Sequence, residues 1–256
     1  LTTISTVAAP LTTTGLAPWY LLLPLSALVL RTTTTLPLTL YARRICISLI
    51  TLRPLLSAWG RVIGTGVAKS KTDTPLTPFE WERQTREKAK LKEKELQKKF
   101  GCESWKGYLP MVQVPIWVIA SLTLRGMTTE PSSVTAARYL QSLLDSIPLE
   151  PTFSQGGALW FPDLLAPDPL YLLPIMLSLS MFANIEFQAL QYPPTTNRGR
   201  MIKNILRAFA LGVIPVTIQT PVALTLYWLS SSLYSLVQNI VLHFAYPMPK
   251  AVTPCK

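Results

Sequence analysis

The 256-residue chain has few charged residues and very few residues that could hold a metal ion. Only 14% of its residues are charged, against about 25% in soluble domains, whereas 49% are hydrophobic. Its one histidine and three cysteines are too few and too scattered for a zinc site or a disulfide framework, and we expect free thiols. This composition indicates a membrane protein, and we expect no cofactor and no enzymatic activity.

The chain also lacks a nucleotide-binding loop. The run from Gly64 to Ser70 is rich in glycine, but it has no Gly-Lys-Ser/Thr ending and no preceding strand. We therefore expect neither ATP nor GTP to bind.

The formal net charge of +11 is distributed unevenly along the chain. Fifteen basic residues lie between Tyr41 and Tyr108, whereas the segment from Thr128 to Asp168 has five acidic residues and one basic residue, Arg138. Basic loops stay on the inner side of a membrane. The pattern therefore predicts an amino end on the acidic side and a carboxyl end on the basic side.

Apolar segments predict an all-α polytopic membrane protein with five transmembrane helices. The expected spans are residues 16–41, 108–126, 169–190, 205–218 and 222–242. Between and around them we expect a disordered lead-in at 1–15, a basic helical hairpin at 42–107, an acidic loop at 127–168 with a short helix near 134–144, a basic loop at 191–204 and a tail at 243–256. The fourth span, with about 14 residues, reaches only about 21 Å.

The expected hairpin consists of two different helices. Apolar residues at helical spacing from Ile45 to Leu56 predict an amphipathic helix that ends at Pro54, followed by a polar turn over residues 60–75. Thr77-Pro78-Phe79-Glu80 has the form of a capping box and predicts the start of a charged helix. Three pairs are spaced to interact on that helix: Glu82 with Arg86, Arg83 with Glu87, and Glu95 with Lys99. A solvated helix is favoured over an RNA-binding one, so we expect no nucleic-acid partner.

Arg31 is the one charged residue in the apolar segment Leu16–Tyr41. An unpaired charge at mid-membrane costs at least about 2.5 kcal/mol, so such an arginine normally faces a wet cavity or a partner. The alternative is that the span ends near Leu30, so that the Arg31 side chain extends to the interface and Thr32–Thr35 form a linker.

Polar side chains form stripes on two further spans. Each stripe follows helical spacing: Ser178, Asn184, Gln188 and Gln191 on the third span, and Trp228, Ser231, Ser235 and Gln238 on the fifth. Gln113 near the start of the second span fits either a groove or the membrane interface. Glu186 fits either a basic partner or the far interface. The stripes themselves fit a groove or ordinary helix packing.

From Trp19 to Leu242 the chain resembles the YidC/Oxa/Alb membrane-protein insertases, most of all their mitochondrial cytochrome oxidase assembly branch. The motifs that carry the resemblance are Leu30-Arg31 with Thr35-Leu36-Pro37-Leu38, Gln113-Val114-Pro115-Ile116, Gly156-Gly157-Ala158-Leu159-Trp160-Phe161-Pro162-Asp163-Leu164 leading to Asp168-Pro169 and Leu173-Pro174, and Leu226-Tyr227-Trp228-Leu229 with Val237-Gln238-Asn239. Leu122-Thr123-Leu124-Arg125, Ile185-Glu186 and Ala189-Leu190-Gln191 support that branch.

The resemblance implies five helices around a hydrophilic groove with Arg31 at its centre. Asn184 matches a position where many relatives have glutamine, and its shorter side chain reaches less far. The expected groove residues are Arg31, Gln113, Asn184, Trp228, Ser231, Ser235 and Gln238.

The resemblance also implies a function. It implies insertion of client spans and export of short polar tails across the mitochondrial inner membrane, during cytochrome oxidase assembly. The expected partners are hydrophobic client proteins, such as an oxidase subunit, and a bilayer with anionic head groups. The amino end would face the intermembrane space. Two other functions remain open: an assembly factor that holds a membrane partner without moving it, and an anion transporter with Arg31 as its site.

Overall fold

The computed structural model describes residues 18–69, 77–128, 151–191, 196–247 and 249. Within these ranges the chain is helical, with two isolated β-bridges and no strand. The α-helices are α1 (Trp19–Leu30), α2 (Leu36–Lys69), α3 (Pro78–Lys99), α4 (Gln113–Thr128), α5 (Leu172–Gln191), α6 (Asn197–Thr217) and α7 (Val222–Ala245). A π-helical turn, Arg31–Thr35, joins α1 to α2, and 3-10 helices cover Ser104–Val112 and Pro151–Gln155. The expected lead-in and the short helix near 134–144 lie outside the described residues.

Three helical stretches of the described chain are long and apolar enough to cross a bilayer. They are Trp19–Lys69, Trp105–Thr128 and Leu172–Gln191. The segments predicted as the fourth and fifth spans are also helical, within α6 and α7. The all-helical fold is therefore confirmed, with about three spans supported by length and hydropathy.

The chain divides into two compact units. The first comprises Leu1–Leu36 and Gln113–Ala245, and the second comprises Pro37–Val112 and Tyr246–Lys256. In the first unit α7 is the central helix, because it packs against α1, α4 and α5, while α5 also packs against α6. Buried apolar side chains from these helices and from residues 153–164 form one continuous core.

In the second unit the prediction that the amphipathic helix ends at Pro54 is wrong. Helix α2 continues through Pro54 and the expected polar turn as far as Lys69. A proline inside a helix costs about 3 kcal/mol. Contacts on both sides of it offset this cost, since Leu52 is buried in a small cluster and the Trp81 indole donates to the Gly64 carbonyl at 3.1 Å.

The start of α3 has the predicted capping box. The Glu80 amide donates to Thr77 Oγ1 at 3.3 Å, and the Thr77 amide donates to Glu80 Oε2 at 3.1 Å. Hydrogen bonds from the Thr77 hydroxyl and amide lower the pKa of the Glu80 carboxyl.

Two of the three ion pairs predicted on α3 are present: Glu82 with Arg86 at 2.9 Å and Arg83 with Glu87 at 3.9 Å. The third is wrong, because Glu95 pairs with Lys92 at 2.8 Å instead of with Lys99. Lys92 also lies 4.8 Å from the centre of the Trp59 ring, which holds its ammonium on that side of the helix.

The basic loop predicted at 191–204 is shorter than expected. Helix α6 begins at Asn197, because Thr196 Oγ1 accepts the Gly199 amide and caps the helix. The predicted fourth span therefore belongs to a 21-residue helix.

Candidate functional site

Arg31 lies where α1 gives way to the π-helical turn, and its guanidinium reaches α7. Nε and Nη2 donate to Ser231 Oγ at 2.9 and 2.7 Å, and Nη1 donates to Ser235 Oγ at 2.6 Å. Ser231 and Ser235 are one helical turn apart, so both hydroxyls lie on the same face of α7. Arg31 is thus directed into the first unit and held by two serines that the polar stripe of the fifth span had singled out.

A guanidinium has five N–H donors, and the hydrogen bonds to serine use three of them. No carboxylate of the described residues lies within salt-bridge distance of Arg31. Serine hydroxyls solvate a charge without neutralising it. The site therefore keeps a full positive charge, and two of its donors have no acceptor among the residues that the structure describes.

A small cavity lies beside the guanidinium. Its lining residues are Leu30, Arg31, Thr34, Thr35, Gln113, Ile116, Trp117, Tyr227 and Ser231. The space measures about 10 Å³, roughly the room that one water molecule needs. Polar groups on three elements converge there: the arginine and threonines of the turn, Gln113 at the start of α4, and Tyr227 on α7.

Trp228 lies beside this cavity without lining it. Its indole Nε1 donates to Ser121 Oγ at 2.9 Å, and its ring centre lies 5.5 Å from that of Trp117. Trp117 is itself a cavity residue. Trp228 therefore links α7 to α4 and supports one wall of the cavity.

Asn184 contributes to helix packing in this structure. Its side-chain amide donates to the Ser180 and Ser232 carbonyls, both at 3.0 Å, and its oxygen accepts from Asn239 at 3.3 Å. Asn184 is absent from the cavity lining. Gln238 is half-buried and lies one turn beyond Ser235 on α7, also outside the lining.

The structure thus brings four of the seven predicted site residues together: Arg31, Gln113, Ser231 and Ser235. It adds Trp117, Tyr227, Thr34 and Thr35, which sequence reasoning missed. Trp117 follows Gln113 by four residues and shares its face of α4, so that spacing could have indicated it.

Residues 152–156, which precede α5, pack against the start of α1 in the first unit. The Trp19 indole donates to Thr152 Oγ1 at 2.7 Å and stacks on Phe153 with ring centres 4.4 Å apart. The Tyr20 amide donates to the Gly156 carbonyl at 3.0 Å. A Cβ on Gly156 would lie 2.7 Å from the Trp19 Cβ, so only glycine fits against this tryptophan.

Asp168 fixes the start of α5. The carboxylate is 3% exposed and accepts three hydrogen bonds, from the Leu173 amide at 2.7 Å, the Leu170 amide at 3.1 Å and the Trp160 indole at 3.1 Å. The Val222 and Ala223 amides, at the start of α7, donate to the Ala166 and Leu164 carbonyls, both at 3.0 Å. The segment from 151 to 171 therefore holds the ends of α1, α5 and α7 together.

Glu186, which the sequence left open, pairs with two basic residues of α6. Its carboxylate accepts Arg207 Nη2 at 2.8 Å and lies 3.2 Å from Lys203 Nζ. Among the described residues no three histidine, cysteine or acidic side chains come together in a way that could hold a metal ion.

A sequence profile of the family described as 60Kd inner membrane protein matches residues 81–248. The mouse cytochrome c oxidase assembly protein COX18 is 32% identical over 235 residues, which cover 90% of this chain and 66% of the mouse protein. The Saccharomyces cerevisiae COX18 is 29% identical over 90% of this chain and 82% of the yeast protein.

The Arabidopsis mitochondrial inner membrane protein OXA1 is 38% identical over 92 residues, 36% of this chain and 21% of that protein. The chain thus spans slightly less than two thirds of the length of its mouse relative. The matched profile includes α4 to α7 and so most of the helices around Arg31. The chain belongs to the 60Kd inner membrane protein family, the YidC/Oxa/Alb membrane-protein insertases, in the branch of the COX18 proteins.

Proposed function

We propose that the chain is an insertase of the mitochondrial inner membrane that inserts client spans and exports short polar tails during cytochrome oxidase assembly. The names of its COX18 and OXA1 relatives support the compartment and the process. The observation that carries the proposal is the Arg31 guanidinium, held inside the helical unit by two serine hydroxyls, with two N–H donors left for a client.

In this proposal the membrane is crossed five times, by α1 with the turn that follows it and by α4 to α7. The amino end faces the intermembrane space and the carboxyl end the matrix. Helices α2 and α3 form a basic hairpin on the matrix side, where each lysine or arginine near anionic head groups contributes about 1 kcal/mol. The excess of basic residues between Tyr41 and Tyr108 supports this orientation.

Arg31 attracts an acidic segment of the client tail part-way across the bilayer. The cavity has room for about one water molecule, so the tail enters only when the surrounding helices move apart. Helix α4 is the element that we expect to move, because, of the described helices that pack on α7, it makes the smallest contact. The client's own apolar span then enters the lipid, at about 25 cal/mol per Å2 of buried surface, and this gives the direction of transport without a nucleotide.

The test is insertion by the purified chain in liposomes, with one client whose tail is acidic and one whose tail carries the matching amides. Arg31→Ala should reduce export of the acidic tail by about 10- to 100-fold, since a hydrogen bond to a charged group contributes about 1.5–3 kcal/mol. Arg31→Lys should retain part of the activity, because it keeps the charge.

Arg53→Ala is the matched control, since Arg53 is an exposed arginine of α2 outside the site. The proposal is wrong if Arg31→Ala and Arg31→Lys both export the acidic tail as the parent does.

A second candidate is an assembly factor that holds a membrane partner without moving it. The small cavity and the serines already bound to Arg31 favour this function. Reconstitution with one purified client separates the two candidates: an insertase exposes the client tail to protease on the far side of the liposome, whereas a holding factor binds the client and leaves its tail where it was.

A further inference from the structure

The helix that carries Arg31 changes its winding at that residue. Residues Arg31–Thr35 form a π-helical turn between α1 and α2, and the Leu36 amide donates to the Arg31 carbonyl five residues back. π-helical turns are rare in proteins, and those that occur often lie at functional sites. The sequence of this turn is one arginine followed by four threonines.

Each of the four threonine hydroxyls bonds to the carbonyl four residues before it. Thr32 and Thr33 donate to the Leu28 and Val29 carbonyls at 2.9 and 2.8 Å. Thr34 and Thr35 donate to the Leu30 and Arg31 carbonyls. Hydroxyls that bond back in this way compete with the backbone amides and often bend a helix. The Arg31 carbonyl accepts both the Thr35 hydroxyl and the Leu36 amide, whose partner has shifted by one residue.

The wider turn keeps one face of the helix pointed at the cavity. Trp19, Leu23, Ala27, Arg31 and Thr35 follow each other at intervals of four. In an α-helix each such step advances about 40° around the axis, so a long row moves off one face. A π-helical turn contains more residues than an α-helical turn, so each residue rotates less around the helix axis. Thr35 therefore stays under Arg31, buried at 3% exposure, and both line the cavity.

We propose that Thr32 and Thr33 are positioning residues whose hydroxyls hold the π-helical turn and so aim the Arg31 guanidinium at Ser231. Both hydroxyls are exposed, and neither residue lines the cavity, so they act on a client only through Arg31. This inference deepens the proposed function, and its activity test rests on that function.

The first test is independent of activity. Ser231→Ala should lower the melting temperature of the parent chain, because it removes two hydrogen bonds to Arg31. In a chain that carries both Thr32→Val and Thr33→Val, Ser231→Ala should lower the melting temperature much less, since the guanidinium is no longer aimed at Ser231. Thr51→Val with Thr65→Val is the matched control, because those hydroxyls bond back in the regular helix α2. An equal effect of Ser231→Ala in all backgrounds overturns the inference.

The second test uses the acidic and amide client tails. The double valine variant should lose about tenfold in export of the acidic tail, no more than twofold with the amide tail, and nothing further when combined with Arg31→Ala. Thr32→Ser with Thr33→Ser should restore export, because serine keeps the back-bonding hydroxyl. Full export of the acidic tail by the double valine variant, with Arg31→Ala inactive, also overturns the inference. A third outcome separates the two claims. If Ser231→Ala lowers the melting temperature less in the double valine variant than in the parent, but Arg31→Ala exports the acidic tail normally, the positioning role stands and the proposed function is refuted.

Discussion

Replacing Asp168 by asparagine should destabilise the first unit more than its small chemical change suggests. One carboxylate oxygen accepts the Trp160 indole and the Leu170 amide, and the other accepts the Leu173 amide. In Asp168→Asn the carbonyl oxygen can keep two of these bonds at most. Its NH2 group then faces the Leu173 amide, which is a donor, and that amide loses its acceptor next to α5.

The size of the effect follows from burial. Asp168 is 3% exposed, so water cannot replace the lost bond. A buried donor without a partner costs about 1–3 kcal/mol, and losing the negative charge near the start of α5 adds up to about 1 kcal/mol. The expected total of about 1–4 kcal/mol corresponds to roughly 3–15 °C in melting temperature for a chain of this size.

Circular dichroism at 222 nm, followed during heating in detergent micelles, measures this shift. Asp163→Asn is the control, because Asp163 is half-buried and its carboxylate accepts one amide, that of Leu165 at 2.8 Å. An asparagine oxygen can keep that bond, so the control should melt within about 2 °C of the parent. If the two variants melt at the same temperature, the three bonds to Asp168 do not stabilise the first unit.

Two further predictions concern other elements. Gly156→Ala should destabilise by about 1–3 kcal/mol, because the added methyl displaces Trp19. Gly212→Ala is the control, since nothing lies within 4 Å of its added methyl and alanine in a helix should stabilise by up to about 1 kcal/mol; thermal melts compare the two. Because the pKa of Glu80 is lowered, its carboxylate stabilises α3 fully above its ordinary pKa of about 4.3, and this contribution is lost as the pH falls through the lowered pKa. The helicity of an α3 peptide should therefore exceed that of its Glu80→Ala variant at pH 7, and the two should converge in acid.

Features that depend on neighbours along the chain could be predicted from the sequence. The capping box at Thr77 is one, because its partners are three residues apart. The serines that hold Arg31 are another, because their spacing of four places both on one face of a helix. That this face meets Arg31 is known from the structure alone.

Features that depend on which helices meet could not be predicted in this way. Asn184 has the spacing of a polar stripe, yet its amide packs against Ser232 of α7, because spacing defines a face without naming its neighbour. Pro54 was expected to end a helix, since its local cost is known, but the contact between Trp81 and Gly64 further along is not visible in the sequence. Lys92 likewise pairs with Glu95 while its ammonium contacts Trp59.

The choice of partner for Arg31 bears on function as much as on stability. A charged guanidinium at mid-membrane costs at least about 2.5 kcal/mol, and hydrogen bonds from a charged group contribute about 1.5–3 kcal/mol each. Bonds to Ser231 and Ser235 are therefore comparable with the lower value of that cost. A carboxylate at either position would stabilise the arginine further, but it would also cancel the charge that attracts an acidic client in the function proposed above. Two hydroxyls meet both requirements, because they make the buried arginine tolerable and leave its charge unpaired.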